Sequence, residues 1–157
     1  MGNFEGKMKW HKFHAYFWLW VSALMQFASF SSLKSGSIWG DYKDDIYDTF
    51  SAMKSADQAY AVISLVVAIL SIVAAIGLIK YKKFGPVCFI GIYVVNILGG
   101  LYYASALSSN NILNVVDKSS LQASLAVPSR YTMSAFWSII LIVLNLIYFG
   151  KRKDLYD

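Results

Sequence analysis

The sequence predicts an all-α fold: an antiparallel bundle of four transmembrane helices, both termini cytoplasmic, with a short amphipathic helix in the first outer loop. Three observations predict it. Four apolar stretches, at about residues 15–33, 59–79, 87–107 and 131–149, contain no Asp, Glu, Lys or Arg. Each is about 20 residues long, the length a helix rising 1.5 Å per residue needs to cross the hydrocarbon. Basic residues are unevenly shared between the segments that join these stretches. Finally, 57% of the chain is hydrophobic and only 15% charged, against about 25% charged in an ordinary globular domain.

A soluble chain of 157 residues has too little interior to hide that much apolar surface. A bilayer removes the difficulty, because lipid solvates the outer faces. Residues 1–157 are therefore read as a single integral membrane domain whose first partner is the lipid bilayer. The net charge of +5 and the pI near 9.2 would suggest nucleic acid in a soluble protein. Here the cations flank apolar spans, where they set orientation and meet anionic headgroups. No nucleic-acid partner is expected.

The first span follows Lys7, Lys9 and Lys12, as the apolar core of a signal peptide would. It is too long for that core, and no Ala-x-Ala site follows it, so an uncleaved anchor is expected. Lys7, Lys9, Lys12, Lys80, Lys82, Lys83, Lys151, Arg152 and Lys153 fall on one side of the membrane under this assignment, nine in all. Lys34, Lys43, Lys54, Lys118 and Arg130 fall on the other, five in all. Basic loops stay inside, which places both termini in the cytoplasm. Asp41, Asp44, Asp45, Asp48, Asp57 and Asp117 are then all grouped in the outer loops.

The second and third spans are joined by the short segment 80–86, which makes them antiparallel neighbours. Gly85 suits a helix end and Pro86 a helix start. In the first outer loop Trp39, Tyr42, Ile46, Phe50 and Met53 recur at spacings of three and four, with aspartates between. That spacing predicts an amphipathic helix running into the second span, and Trp39, Tyr42, Ile46 and Phe50 become candidate partner contacts. Ile112, Leu113, Val115, Val116, Leu121 and Leu125 suggest a weaker interfacial segment in the second loop. The two halves of the chain share no repeat of the kind many transporters carry.

Each span carries a stripe of small or polar residues. The stripes are Ser22, Gln26 and Ser29; Ser64, Ala68, Ser71 and Ala75; Asn96, Gly99, Gly100 and Ala104; and Ser134, Ser138 and Asn145. Small residues let helices approach and amides hydrogen-bond across them, so these stripes read first as the inner faces of a bundle. The alternative is a polar path lined by the intramembrane candidates Gln26, Asn96 and Asn145.

The spans hold no carboxylate or histidine for proton coupling. Small multidrug exporters, four-helix proteins of similar size, depend on a membrane-embedded glutamate; the only glutamate here is Glu5. Vitamin K epoxide reductase-like enzymes and claudin-like proteins need paired cysteines, and Cys88 is alone. No nucleophile–base pair is visible, so no enzyme is expected. His11 and His14 share a helix face, but no third ligand is near in sequence, so neither a metal nor another cofactor is expected.

The ending from Asn145 through Tyr148, Phe149, Lys151, Arg152 and Lys153 to Leu155 and Tyr156 resembles that of many small bacterial multi-pass membrane proteins. The opening from Lys9 through Trp10 and His11 to Phe13 resembles their start. Some of them carry an N-terminal zinc ribbon, for which this chain lacks the cysteines. The resemblance covers the two ends and the span pattern. It implies a bacterial inner membrane and carries over no catalytic residue. The expected function is a non-enzymatic bundle acting through a membrane-protein partner or self-association as a homo-oligomer. The alternative is a small-solute transporter or channel with an uncharged polar path.

Overall fold

The computed structural model describes residues 9–110, 112, 116–117 and 120–156. Glu5, Lys7, Lys118, Leu113 and Val115 lie outside them. All regular structure among the described residues is helical, so the fold is all-α.

The chain enters as α1 (Lys9–Phe13), opens into one π-helical turn at His14–Trp18, and continues as α2 (Leu19–Ser35). Phe13 and Leu19 keep right-handed helical dihedrals, so the backbone stays helical through both junctions. A π turn loosens the backbone ladder. The Trp20 indole N–H donates to the Ala15 carbonyl at 3.1 Å and satisfies that group in the loosened turn. Gly36, in the left-handed region at φ 75°, ends α2.

The first loop holds a 3-10 segment, Ser37–Tyr42, and then α3 (Lys43–Thr49). It contains the expected short amphipathic helix: in α3, Ile46 is buried while Asp44, Asp45 and Asp48 are exposed. It does not run unbroken into the next helix. Gly40 (φ 56°, ψ −128°) kinks the 3-10 segment, and Phe50 (φ −125°, ψ 75°) separates α3 from α4 (Ser51–Ile79). The helix expected to start near residue 59 thus begins earlier and takes in Lys54 and Asp57.

α4 turns into α5 (Phe84–Asn110) through a tight connection closed by the Lys82 N–H on the Gly77 carbonyl at 2.8 Å. Here the two backbones touch. A Cβ on Gly77 would lie 2.6 Å from the Gly85 Cα, and one on Gly85 would lie 2.6 Å from the Gly77 carbonyl carbon. After a one-turn helix α6 (Leu121–Leu125), capped by the Ser120 hydroxyl, Pro128 opens α7 (Pro128–Gly150).

Three helices, α4, α5 and α7, are long and apolar enough to cross a membrane. The α1–α2 run is divided by the π turn, and α2 by itself has 17 residues. Leu24, Val87 and Leu98 are 70%, 68% and 66% exposed, so the outer faces present large apolar side chains. The long helices pack in chain order, α2 on α4, α4 on α5 and α5 on α7, forming an arc. Its two ends, α2 and α7, make no more than marginal contact. One buried cluster, around Trp39, Ile46, Met53, Tyr103 and Leu107, lies at the loop end of the arc. Another, around Leu19, Leu78, Phe89, Phe149 and Tyr156, lies at the end where the termini meet.

The Gly77–Gly85 contact yields the first prediction. Gly85→Ala forces the α4–α5 turn apart and lowers stability in detergent by about 1–3 kcal/mol, the usual cost of overpacking. Gly91→Ala, where an added Cβ meets nothing within 4 Å, stays neutral or gains slightly. Equal melting temperatures for both variants would refute the close-approach account.

Candidate functional site

Three features lie along the arc: a locked loop end, a locked terminus end and an open seam between them. At the loop end the key residue is Asp57, fully buried on α4. The Trp39 indole N–H donates to its Oδ2 at 2.6 Å and the Tyr47 hydroxyl to the same oxygen at 2.8 Å. The Tyr103 hydroxyl donates to Oδ1 at 2.5 Å. The carboxylate is thus held by neutral donors from the 3-10 segment, α3 and α5. Burial, and then the hydrogen bond to Asp57 and its charge, push the Tyr47 phenol pKa upward. Among the aspartates that the charge pattern groups in the outer loops, Asp57 differs in lying on α4 and being fully buried.

This node also explains the loop aromatics. Trp39 and Ile46 are fully buried, and Tyr42 and Phe50 are half-buried against the same cluster. The four residues marked as partner contacts therefore pack inward and do not form one exposed patch.

At the terminus end His11 is almost fully buried. Its Nδ1 is 2.9 Å from the Tyr156 hydroxyl, and its ring stacks on Tyr81 at 5.0 Å between centroids. His14 Nδ1 is 2.9 Å from the Trp10 carbonyl, and its ring meets Phe89 edge-on at 5.0 Å. The two rings are thus engaged with different neighbours. Burial lowers both pKa values; for His11 the Leu78 backbone opposes the shift more weakly. His11 Nε2 is buried without a hydrogen bond of good geometry. Asn145, fully buried, accepts from the Trp10 indole N–H at 3.2 Å and donates to the Leu141 carbonyl at 2.7 Å. The N-terminal helix, the α4–α5 turn and the C-terminal tail therefore converge, bringing the basic residues of all three to one end.

Between these ends α2 and α7 stand apart, and two clefts follow one another along the seam. The cleft nearer the loops, about 240 Å³, is lined by Gln26, Ser29, Tyr60, Ser64, Arg130 and Ser134 among others. The cleft nearer the termini, about 230 Å³, is lined by Trp18, Ser22, Asn96, Ser134, Trp137 and Ser138 among others. Ser134 belongs to both. Residues from the polar stripes of all four spans meet here. Ser71, on the α4 stripe but away from the seam, donates to its own helix at Val67 O, 2.8 Å. Ser64 and Ser138, 3% and 6% exposed, make no such bond. Among the described residues the hydroxyls of Ser64 and Ser138 and the amides of half-buried Gln26 and Asn96 have no hydrogen-bond partner.

The structure thus divides the three amides picked out by sequence: Gln26 and Asn96 line the seam, and Asn145 ties α7 to the N-terminal helix. Among the described residues no carboxylate, imidazole or thiol lines either cleft. What is present offers hydrogen bonds, aromatic faces and one guanidinium. Among the described residues no group of three His, Cys, Asp or Glu is placed to hold a metal ion. No family model, curated protein or solved structure matches the chain.

Two predictions concern the locked ends. Asp57→Ala strands two buried donors, Trp39 and Tyr103, and the half-buried Tyr47, and lowers stability by about 3–5 kcal/mol, whereas Trp39→Phe loses one hydrogen bond to a carboxylate, about 1.5–3 kcal/mol. Denaturant titration in mixed micelles measures both; an Asp57→Ala protein as stable as wild type would contradict the node. The pH effect follows from the lowered histidine pKa values. The unfolded chain takes up protons near pH 6.5, where the folded chain still excludes them. The contribution of neutral His11 and His14 is complete above that pH and is lost as pH falls through the folded values. Melting temperature therefore drops between about pH 7.5 and 5.5. His11→Phe, which can keep the stack on Tyr81, reduces that slope; an unchanged slope would exclude His11 as a source.

Proposed function

We propose that this chain is a membrane protein crossing the bilayer four times, the α1–α2 run supplying the first crossing, and that it acts by association within the membrane rather than by catalysis. The contact face is the open seam, and its occupant is a transmembrane segment of a partner protein or of a second copy. The carrying observation is that hydroxyls and amides face an unfilled gap between α2 and α7 without partners. In hydrocarbon such groups are satisfied by another helix bearing small or polar residues. The cleft near the termini, with Ser22, Asn96 and Ser138 beside the indoles of Trp18 and Trp137, offers small gaps and donors to such a helix.

Orientation follows from charge. The clustered basic residues of the terminus end are assigned to the cytoplasm. The resemblance of the chain ends to bacterial multi-pass proteins supports assignment to a cell membrane. One observation favours a second reading: Ser134 lines both clefts, which places them in succession as a polar solute path would need. Such a path is open to lipid on one side, so it needs an oligomer to enclose it.

A photo-crosslinking residue at Ser22 or Trp137, in native membranes, distinguishes these readings. Protein adducts are expected at both seam positions and not at Leu98, which lies exposed on α5. Asn96→Leu leaves the protein folded and weakens the adducts. Equal adducts at Leu98, or none at the seam, would defeat the association reading. Modification of a Ser22→Cys, Cys88→Ser protein by a water-soluble thiol reagent, without any adduct, would favour the solute path.

A further inference from the structure

The loop-end cleft differs from its neighbour in chemistry. It contains a cation, Arg130, on the first turn of α7. Among the described residues the guanidinium has no carboxylate partner, and no acidic side chain lines the cleft. The nearest buried acid, Asp57, is enclosed by its own three donors. Tyr60 lines the same cleft, and Tyr131 spends its proton on the Leu125 carbonyl at 3.2 Å. The N-terminal end of α7 adds the positive end of a helix dipole. Independently, the Ser64 hydroxyl lies on the cleft wall, 97% buried by the 3% exposure of its residue, and has no partner. The Gln26 amide across the cleft is also unpartnered.

We infer that this cleft binds the headgroup of an anionic phospholipid, with Arg130 meeting the phosphate and Ser64 and Gln26 meeting headgroup hydroxyls or ester oxygens. The inference rests on the proposal that the chain spans the bilayer. Size and surroundings select a lipid headgroup. A volume of about 240 Å³ lies below the roughly 300–1,000 Å³ of pockets that enclose a whole drug-sized ligand. It suits a headgroup whose chains remain outside. Met25 on α2 and Met133 on α7, 63% and 58% exposed, belong to the apolar outer surface of the two helices that flank the seam, which those chains can cover. The partner helix proposed above lies along the same seam and is drawn chiefly to the cleft nearer the termini; headgroup and helix meet at Ser134, which lines both clefts.

The full chain is purified in detergent, stripped of lipid, and placed in nanodiscs of phosphatidylcholine alone or mixed with phosphatidylglycerol. Native mass spectrometry then counts retained lipids, and melting temperature reports stabilisation. Wild type is expected to retain phosphatidylglycerol preferentially and to melt higher with it. Arg130→Gln reduces the preference about fivefold, the scale of one cation near an anionic surface. Arg130→Lys restores part of it, Ser64→Ala weakens it, and Lys153→Gln, at the opposite end, leaves it unchanged. Equal retention of the two lipids, an unchanged Arg130→Gln protein, or equal stabilisation by inorganic phosphate alone would each overturn the inference. Extraction of the protein from native membranes by alkaline carbonate, tested separately, would instead overturn the spanning proposal.

Discussion

A buried carboxylate with no cation beside it can be kept only by donors that converge on it, and Asp57 imposes that requirement on one whole end of the molecule. The three donors come from elements distant in sequence, Trp39, Tyr47 and Tyr103. Trp39 and Tyr47 are eight residues apart, which on one continuous helix separates them by about 12 Å along the axis. The kink at Gly40 and the break at Phe50 fold the loop back, and both side chains meet Asp57 Oδ2. With both committed, Ile46 between them and Met53 beyond them are carried into the same cluster, and Asp44, Asp45 and Asp48 are left outward. The loop aromatics are thus a lid on the helix ends, positioned by one carboxylate.

The opposite end is closed by different chemistry. There the chain termini fasten to each other through His11 and Tyr156, with Tyr81 of the α4–α5 turn stacked on the imidazole. Trp10 reaches Asn145 on α7. These contacts tie the N-terminal helix to the last helix near the termini, while along most of their length α2 and α7 remain apart. The Gly77–Gly85 contact keeps α4 and α5 tight at the same end. The seam is therefore a gap held open between two fixed closures, and its width follows from where those closures sit.

Much of this was legible in the sequence. The long helices follow from charge-free apolar length, and the inward face of the first loop follows from its spacing of three and four. The π turn has no sequence signature here, which is why the first span reads from sequence as the equal of the other three. Asp57 does not stand out in the sequence because six aspartates in the segments between the apolar stretches look alike as a group. A signal for it does exist. The stripe Ser64, Ala68, Ser71 and Ala75, extended backward at the same alternating steps, lands on Ala61 and then Asp57, and all six are buried. The three amides were equivalent by sequence because each sits alone in an apolar run. What separates them is a partner 135 residues away in the chain, which no local pattern encodes.

The strength of any contact in the seam can be bounded from the groups that line it. A serine hydroxyl inside a helix has an alternative partner, the carbonyl four residues earlier, as Ser71 demonstrates. Ser64 and Ser138 make no bond to that carbonyl and leave their hydroxyls to the clefts, though each such hydroxyl adds little by itself. An amide is harder to satisfy alone. Asn145 gives its N–H₂ to the Leu141 carbonyl but needs Trp10 for its oxygen. Asn96, without a second partner, would leave its oxygen bare in an apolar cleft. Transfer to a medium with no partner costs an amide roughly 4–8 kcal/mol, yet interhelical hydrogen bonds measured in membranes average about 0.6 kcal/mol because the separated state also finds partners. With the chain spanning a bilayer as proposed, the smaller figure applies to this open seam. A few such bonds, with the packing of two indoles, support a contact that forms and breaks; they do not weld a permanent complex. A seam lined with weakly satisfied groups between two rigid closures is therefore suited to exchangeable occupancy, and an interface built for permanence would replace Gln26 and Asn96 with apolar side chains.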